Sequence, residues 1–269
     1  GNIYTARQLL QVFRRAVNAW DSAVPPWQAP DGTWVDLLRP QIQPGGFASR
    51  TELLIDRAQH LAAVRRMMRE LDVLVFTLGL TETWEWTADG TVFPVCPGCG
   101  AGTFDPAAIR FHNLSVEEII ADLHAAFDLL ADENPGARVI LTVSPVPLIA
   151  TMEPRHVLVS TVHSKSALVV AAHAVAAARP EVCYFPSYEI VTAPRAHGTW
   201  FGDDLRSVRE DGVAHVMRVF FRHVLDADIE PQPYVPEENQ ASPPKPEATP
   251  SDLDEIDVVC DEEILAHGR

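Results

Sequence analysis

The stretch Leu71-Asp72-Val73-Leu74-Val75-Phe76-Thr77-Leu78-Gly79-Leu80-Thr81-Glu82-Thr83-Trp84 decides how this chain is read. Asp72–Gly79 is a short, continuous, β-branched apolar run without polar alternation. That pattern predicts a strand buried on both faces, as in a parallel sheet. Arg138–Ser144 and Val182–Val191 have the same character and predict two more such strands.

Helical patterns separate these runs. Four of them open on capping-box pairs, Thr5 with Gln8, Ser49 with Glu52, Ser115 with Glu118, and Ser207 with Glu210. In such a pair the hydroxyl accepts from the backbone N–H three residues on, and the Glu or Gln reaches back. Apolar residues then recur at helical spacing: Leu9, Phe13 and Val17; Leu54, Leu61 and Met68; Ile119, Leu123 and Phe127; Val213, Val216 and Phe220. A further helix, Ala/Val-rich nearly all round, is expected from about Lys165 to Arg179. Alternating helices and strands predict an α/β fold, an open parallel sheet with helices on both sides. Ligands of such sheets sit beyond the carboxyl ends of the strands. That rule points to Gly79–Trp84, Ser144–Leu148 and Ser187–Val191.

The formal net charge of −16 argues against a nucleic-acid partner, which would need clustered cations. Thirteen acidic residues follow Leu225, offset only by Lys245 and Arg269, so the rest of the chain is mildly acidic. From Glu230 the composition turns to Pro, Glu, Gln and Ser, too poor in apolar residues to offset the entropy of ordering. The expected organisation is a domain over 1–229 and a disordered acidic tail over 230–269. No transmembrane segment is expected, since the richest apolar run, Leu71–Leu80, is well short of the roughly 18 residues a span needs. No basic head and apolar block mark a secretory leader, and the chain begins at Gly1 and not Met; it is read as processed or as a fragment. Four cysteines, Cys96, Cys99, Cys183 and Cys260, form no disulfide framework at this length, and a cytoplasmic location is the simplest reading.

Gly79 at a strand end would let backbone approach a ligand closely, with Thr81 and Glu82 projecting into the crevice; the plainer reading is a turn with a solvated Glu82. Cys96-Pro97-Gly98-Cys99 has metal-knuckle spacing, but no second pair follows, so a surface loop is expected and no metal. His197 and His215 are candidate bases, His215 being better explained by packing in the last helix. His163-Ser164-Lys165-Ser166 contains a Ser–Lys pair, but adjacent residues do not face each other on a helix. A helix start is expected there instead.

Several segments, in order, resemble the GSCFA family, a branch of the SGNH-hydrolase-like proteins. They are Gly1-Asn2-Ile3-Tyr4-Thr5-Ala6, Gly45-Gly46-Phe47, Thr77–Trp84, Ser144-Pro145-Val146-Pro147-Leu148, Ser164-Lys165-Ser166 and Tyr184-Phe185-Pro186-Ser187-Tyr188-Glu189-Ile190. The resemblance reaches to Val224. It implies a flavodoxin-like three-layer sandwich and ester or acyl chemistry on an acylated carbohydrate or glycoconjugate, with no cofactor. The family's Gly-Ser-Cys-Phe-Ala segment, with the presumed nucleophile, belongs upstream of Gly1, so the first strand is expected to be missing. The family's Asp-x-x-His block aligns with Asp204-Leu205-Arg206-Ser207, which places Ser207 where the base should be. Ser207 is also expected to cap the last helix. Thr81 stands where the family's Gly-x-Asn-Asp block has Asn.

The expected catalytic residues are Asp204, Thr81 and Glu82, with Gly79, Trp84, Ser144 and Ser187 binding substrate. An esterase or O-acyltransferase domain is the first reading. A carbohydrate-binding or assembly protein that kept the crevice and lost the triad is the second. A separate polypeptide supplying the N-terminal segment is the third.

Overall fold

The computed structural model describes residues 2–193 and 200–225; the expected tail, Cys260 and His197 lie outside these. In chain order the elements are α1 (Ala6–Ala16), β1 (Trp27–Gln28), β2 (Trp34–Val35), α2 (Arg50–Glu70), β3 (Val73–Leu78), β4 (Glu82–Trp86) and β5 (Val92–Phe93). They continue with β6 (Ile109–Asn113), α3 (Val116–Glu133), β7 (Arg138–Val143), α4 (Val157–Ala178), β8 (Val182–Tyr184), α5 (Ser187–Thr192) and α6 (Glu210–Val224).

The three apolar runs form one parallel sheet in the order β3-β7-β8. Val73 registers with Arg138 and Leu78 with Val143, which puts Leu74, Phe76 and Leu78 on the same face as Val139, Leu141 and Val143. That face packs against α1, α3 and α4 through Phe13, Leu123, Phe127, Leu168 and Val175. On the other face α5 lies over β7, and Phe185 meets Phe220 of α6 edge-on at 5.1 Å. The fold is therefore the expected α/β sandwich, a parallel sheet between two helical layers.

Three boundaries differ from the sequence expectation. Helix α4 begins at Val157, not near Lys165; the His156 ring caps it by accepting from Leu158 N–H. The β-branched start of this helix carries no Ser or Thr cap, so the sequence concealed it. The third strand stops at Tyr184: Phe185 N–H still reaches Leu141 O, but the next N–H in line, that of Ser187, turns back to Phe185 O, and Ser187–Thr192 is helical. The cap of α6 is Arg209 without a side-chain bond. Ser207 spends its hydroxyl and its N–H on Asp204 instead.

One antiparallel sheet, β5-β4-β6, and the small β1-β2 hairpin were not anticipated. In β4, Thr83 and Glu85 are buried while Glu82, Trp84 and Trp86 are partly exposed, a two-residue alternation. Buried Glu85 is satisfied by Arg7 at 3.3 Å and Arg110 at 2.7 Å.

Helix α4 is 22 residues long with a mean hydropathy of 1.2 over its best window, so length and composition alone would admit it as a membrane span. Its Ala167, Leu168, Ala171, Ala172 and Val175 instead belong to the core.

The Ser115–Glu118 capping box is complete, with both reciprocal bonds present. Partial burial opposes ionisation of Glu118, but the Ser115 N–H, His112 and Arg7 outweigh it and hold the carboxyl at about 2. A depressed carboxylate stabilises the fold above its unfolded pKa, near 4.5, and that contribution is lost as pH falls toward 2. An NMR titration should place Glu118 well below the other glutamates, and His112→Ala, which removes a donor to its carboxylate, should raise it. Ser115→Ala, which removes the hydroxyl that accepts from Glu118 N–H, should cost about 0.5–2 kcal/mol in urea unfolding.

Candidate functional site

The site grows from the point where the chain leaves the parallel sheet. Beyond Leu78, residues Gly79-Leu80-Thr81 carry it into β4. A side chain at Gly79 would press on Tyr4, whose carbonyl lies 3.2 Å from the position of a Cβ. With glycine there, the Gly79 N–H donates to Tyr4 O at 2.8 Å, tying the start of α1 to the end of β3. Two adjacent residues of α4 fix the remainder. Lys165 Nζ donates to Gly79 O at 2.5 Å, and Ser164 Oγ accepts from Thr81 N–H at 3.0 Å. Ser164 and Lys165 are both almost wholly buried inside α4 and do not start it. They need not face each other; each takes one backbone group of the same turn.

Thr81 is fully buried and donates its hydroxyl to Asn113 Oδ1 at 2.6 Å, and Asn113 Nδ2 donates to Glu153 at 2.8 Å. Thr81 is thus held by neighbours on every side, with its hydroxyl proton committed. Glu82 is not simply solvated. Its Oε1 accepts from Thr151 Oγ1 at 2.6 Å and its Oε2 from Met152 N–H at 3.2 Å. Thr151 Oγ1 lies 2.9 Å from Ser160 Oγ, which Arg155 also contacts at 2.9 Å. The segment after β7 is therefore pinned over the end of β4 by one carboxylate.

Between them lies a crevice of about 210 Å³, walled by Tyr4, Glu82, Trp84, Cys96, Phe111 and Leu148. Trp84 stands edge-on to Phe104 at 5.5 Å and to Phe111 at 5.6 Å, so one wall is aromatic. The crevice takes in Leu80, Glu82, Trp84 and Leu148, whereas Gly79, Thr81, Ser144 and Ser187 are not among its lining residues. A larger cavity, about 430 Å³, runs along β3 between α1 and α2, away from this chemistry.

The other expected residues are placed as follows. Ser144 closes a local turn, its Oγ accepting from Val146 N–H at 3.2 Å, and its N–H reaches Leu78 O. Ser187 Oγ donates to Val143 O at 2.9 Å and touches Thr142 Oγ1, which seats α5 on the end of β7. Asp204 is exposed and accepts from Ser207 Oγ, Arg206 N–H and Ser207 N–H. The Ser207 hydroxyl first, then these two N–H groups, hold its carboxyl below the usual range. Neither Asp204 nor Ser207 lines the crevice. His215 stacks on Trp200 with rings 5.0 Å apart and 11° from parallel, in keeping with a packing role.

Cys96 is buried in the crevice wall, and burial first, then neighbouring Cys99, push its thiol up to about 12. Among the described residues no three His, Cys, Asp or Glu side chains converge as metal ligands. The contribution of Lys165 and Ser164 was missed in the sequence because the start of α4 was placed too late. The signal was present: the only lysine before Lys245 sits in an apolar helix.

Two measurements check this geometry. Ser164→Ala strands the buried Thr81 N–H and should cost about 1–3 kcal/mol in urea unfolding, whereas Ser144→Ala, in a partly exposed turn, should stay within about 0.5 kcal/mol. With iodoacetamide at pH 8, mass spectrometry should find exposed Cys183 alkylated well before Cys96.

Compared with the curated proteins, the chain has no match. The model of the GSCFA family matches residues 1–220, nearly all that the structure describes, and includes the Gly79–Thr81 turn, Ser164 and Lys165, and the crevice. The chain belongs to the GSCFA family.

Proposed function

We propose that this domain binds an acylated carbohydrate or glycoconjugate in the crevice beside β4 and serves an SGNH-like esterase or O-acyltransferase reaction. The observation that carries this reading is the crevice itself. It lies at the carboxyl end of the parallel sheet, with an aromatic wall at Trp84 and Phe111 and an anchored carboxylate at Glu82. An apolar body with a few fixed polar groups is the usual make-up of a small-molecule site. Trp84 would cover the apolar face of a sugar ring or its acyl group, and Glu82 would accept from a hydroxyl at the rim.

A second reading, a binding or assembly protein without turnover, is favoured by the Asp204–Ser207 pair. Asp204 is placed to orient a partner three residues on, and that partner is a hydroxyl. A hydroxyl does not take a proton from a nucleophile near neutral pH, which an imidazole would do.

Residues 1–269 alone should therefore show no appreciable turnover of O-acetylated hexosamines or aryl acetates, yet bind the sugars with a change in tryptophan emission. Trp84→Ala should weaken binding about tenfold, equal to about 1.4 kcal/mol. Turnover abolished by His215→Ala would reveal a relocated base. Absence of both binding and turnover would exclude the crevice as a carbohydrate site.

A further inference from the structure

One face of the sheet β5-β4-β6 carries two cavities. Register places Phe93 and Phe111 opposite Trp84, and Ile109 opposite Trp86, so these side chains share that face. The crevice of Glu82 and Trp84 lies at one end. At the other end a cavity of about 340 Å³ is walled by Trp27, Trp34, Trp86, Phe93, Pro97 and Asp105 among others, the first two from the β1-β2 hairpin. The two adjoin: Phe93 walls both, and Cys96 of the crevice is followed in the chain by Pro97 of the second cavity. Trp84 and Trp86, two residues apart on β4, are separated by about 7 Å of strand.

The second cavity has a polar character of its own. Among the described residues no acceptor meets the indole N–H of Trp27, Trp34 or Trp86, and none of these nitrogens is sealed from solvent. A largely buried indole usually finds an acceptor for that proton. Among the same residues Asp105 commits only Oδ1, to Ala107 N–H at 2.9 Å. No Lys or Arg of the described residues lines either cavity, so an anionic ligand would meet Asp105 and Glu82 uncompensated. A purely hydrocarbon ligand would seal the indole N–H groups from water without answering them, which is unfavourable for each. A pyranose meets both demands. Its C–H face packs on an aromatic ring, and its hydroxyls accept from an indole and donate to a carboxylate.

We propose that this cavity is a second sugar subsite, and that the domain takes an uncharged oligosaccharide laid along β4, one unit in the crevice and a following unit against Trp86. The proposal rests on the reading of the crevice as a carbohydrate site and adds chain length and neutrality to it. The indole N–H groups hold hydroxyls of the second unit, and Asp105 Oδ2 accepts from a hydroxyl at the rim.

The test is NMR of the indole N–H signals on the full chain, assigned by Trp→Phe variants, which reads each cavity separately. The chain is titrated with N-acetylglucosamine and with its β-1,4-linked tetramer. The monosaccharide should move the Trp84 signal. The tetramer should also move those of Trp27, Trp34 and Trp86 and bind about tenfold more tightly or better. Trp34→Ala should remove most of that gain. If that variant unfolds the hairpin, Asp105→Ala on the exposed rim should still weaken tetramer binding several-fold. Tetragalacturonic acid, an anionic oligomer, should move none of the three signals. Movement of Trp84 by both sugars, with the other three unmoved and no gain for the tetramer, would overturn the second subsite and leave the crevice reading standing. Movement of the three with Trp84 unmoved would uphold the subsite and remove the crevice from the carbohydrate reading. No movement by either sugar would remove both, and an equal response to tetragalacturonic acid would overturn the neutrality of the ligand. If Pro243→Ala, Pro244→Ala and Pro246→Ala together shift the three signals in the unliganded chain, the cavity is a groove for the chain's own proline-rich segment, and the sugar proposal falls.

Discussion

The crossing at Gly79-Leu80-Thr81 is the constraint on which the arrangement of this domain depends. There the chain leaves a parallel sheet and enters an antiparallel one, so neither ladder satisfies the intervening backbone groups. Buried and unpaired, such groups cost about 1–3 kcal/mol each. One turn of α4 answers two of them, with Lys165 on the Gly79 carbonyl and Ser164 on the Thr81 N–H. A third, the Gly79 N–H, is answered by Tyr4 just before α1. Two helices far apart in sequence are thereby fixed to the same three residues. Because a buried ammonium is costly to desolvate, a lysine in this position is explained by the polar backbone it meets and not by the apolar helix that carries it.

From that crossing the crevice follows. Once Thr81 is fixed, the two-residue alternation of β4 decides which side chains go where. Thr83 and Glu85 turn inward, Glu85 onto Arg7 and Arg110, while Glu82 and Trp84 turn toward the segment after β7. Glu82 then holds Thr151 and Met152, which closes the crevice on its far side. The same residue thus shapes the cavity and lines it. A substitution at Glu82 would alter the rim as well as remove an acceptor, so its effects on binding would mix geometry with chemistry.

Much of the fold was legible because its signals are local. The three apolar runs, the Thr5, Ser49 and Ser115 caps and the helical spacing behind them correspond to β3, β7, β8, α1, α2 and α3. What escaped was non-local. The antiparallel sheet depends on β4 meeting β6 some thirty residues on, Glu82 opposite Asn113, and within its own sequence β4 resembles a polar loop. Helix α4 is capped by a histidine, an unusual choice, so its first two turns went unrecognised. Ser207 had the sequence of a capping box and lost it to Asp204, a competitor three residues away. Glu82 and Trp84, which wall the crevice, were singled out from the sequence; Thr151, which fixes Glu82, was not, since it lies far along the chain.

The Asp204–Ser207 unit is held by hydrogen bonds within its own loop. Asp204 accepts three hydrogen bonds from within its own loop, and these stabilise its charged form. A carboxylate so satisfied has little reason to take up a proton near neutral pH, and the Ser207 hydroxyl donates to it without being able to act as a base. Phe201 bridges to Val208, and Arg209 N–H reaches Trp200 O at 2.7 Å, so the loop is closed on itself independently of the crevice. Its internal bonding accounts for its shape without any role in proton transfer. Ser207 therefore offers no base, whereas the crevice, anchored from α4 and β4, keeps its form independently of that loop.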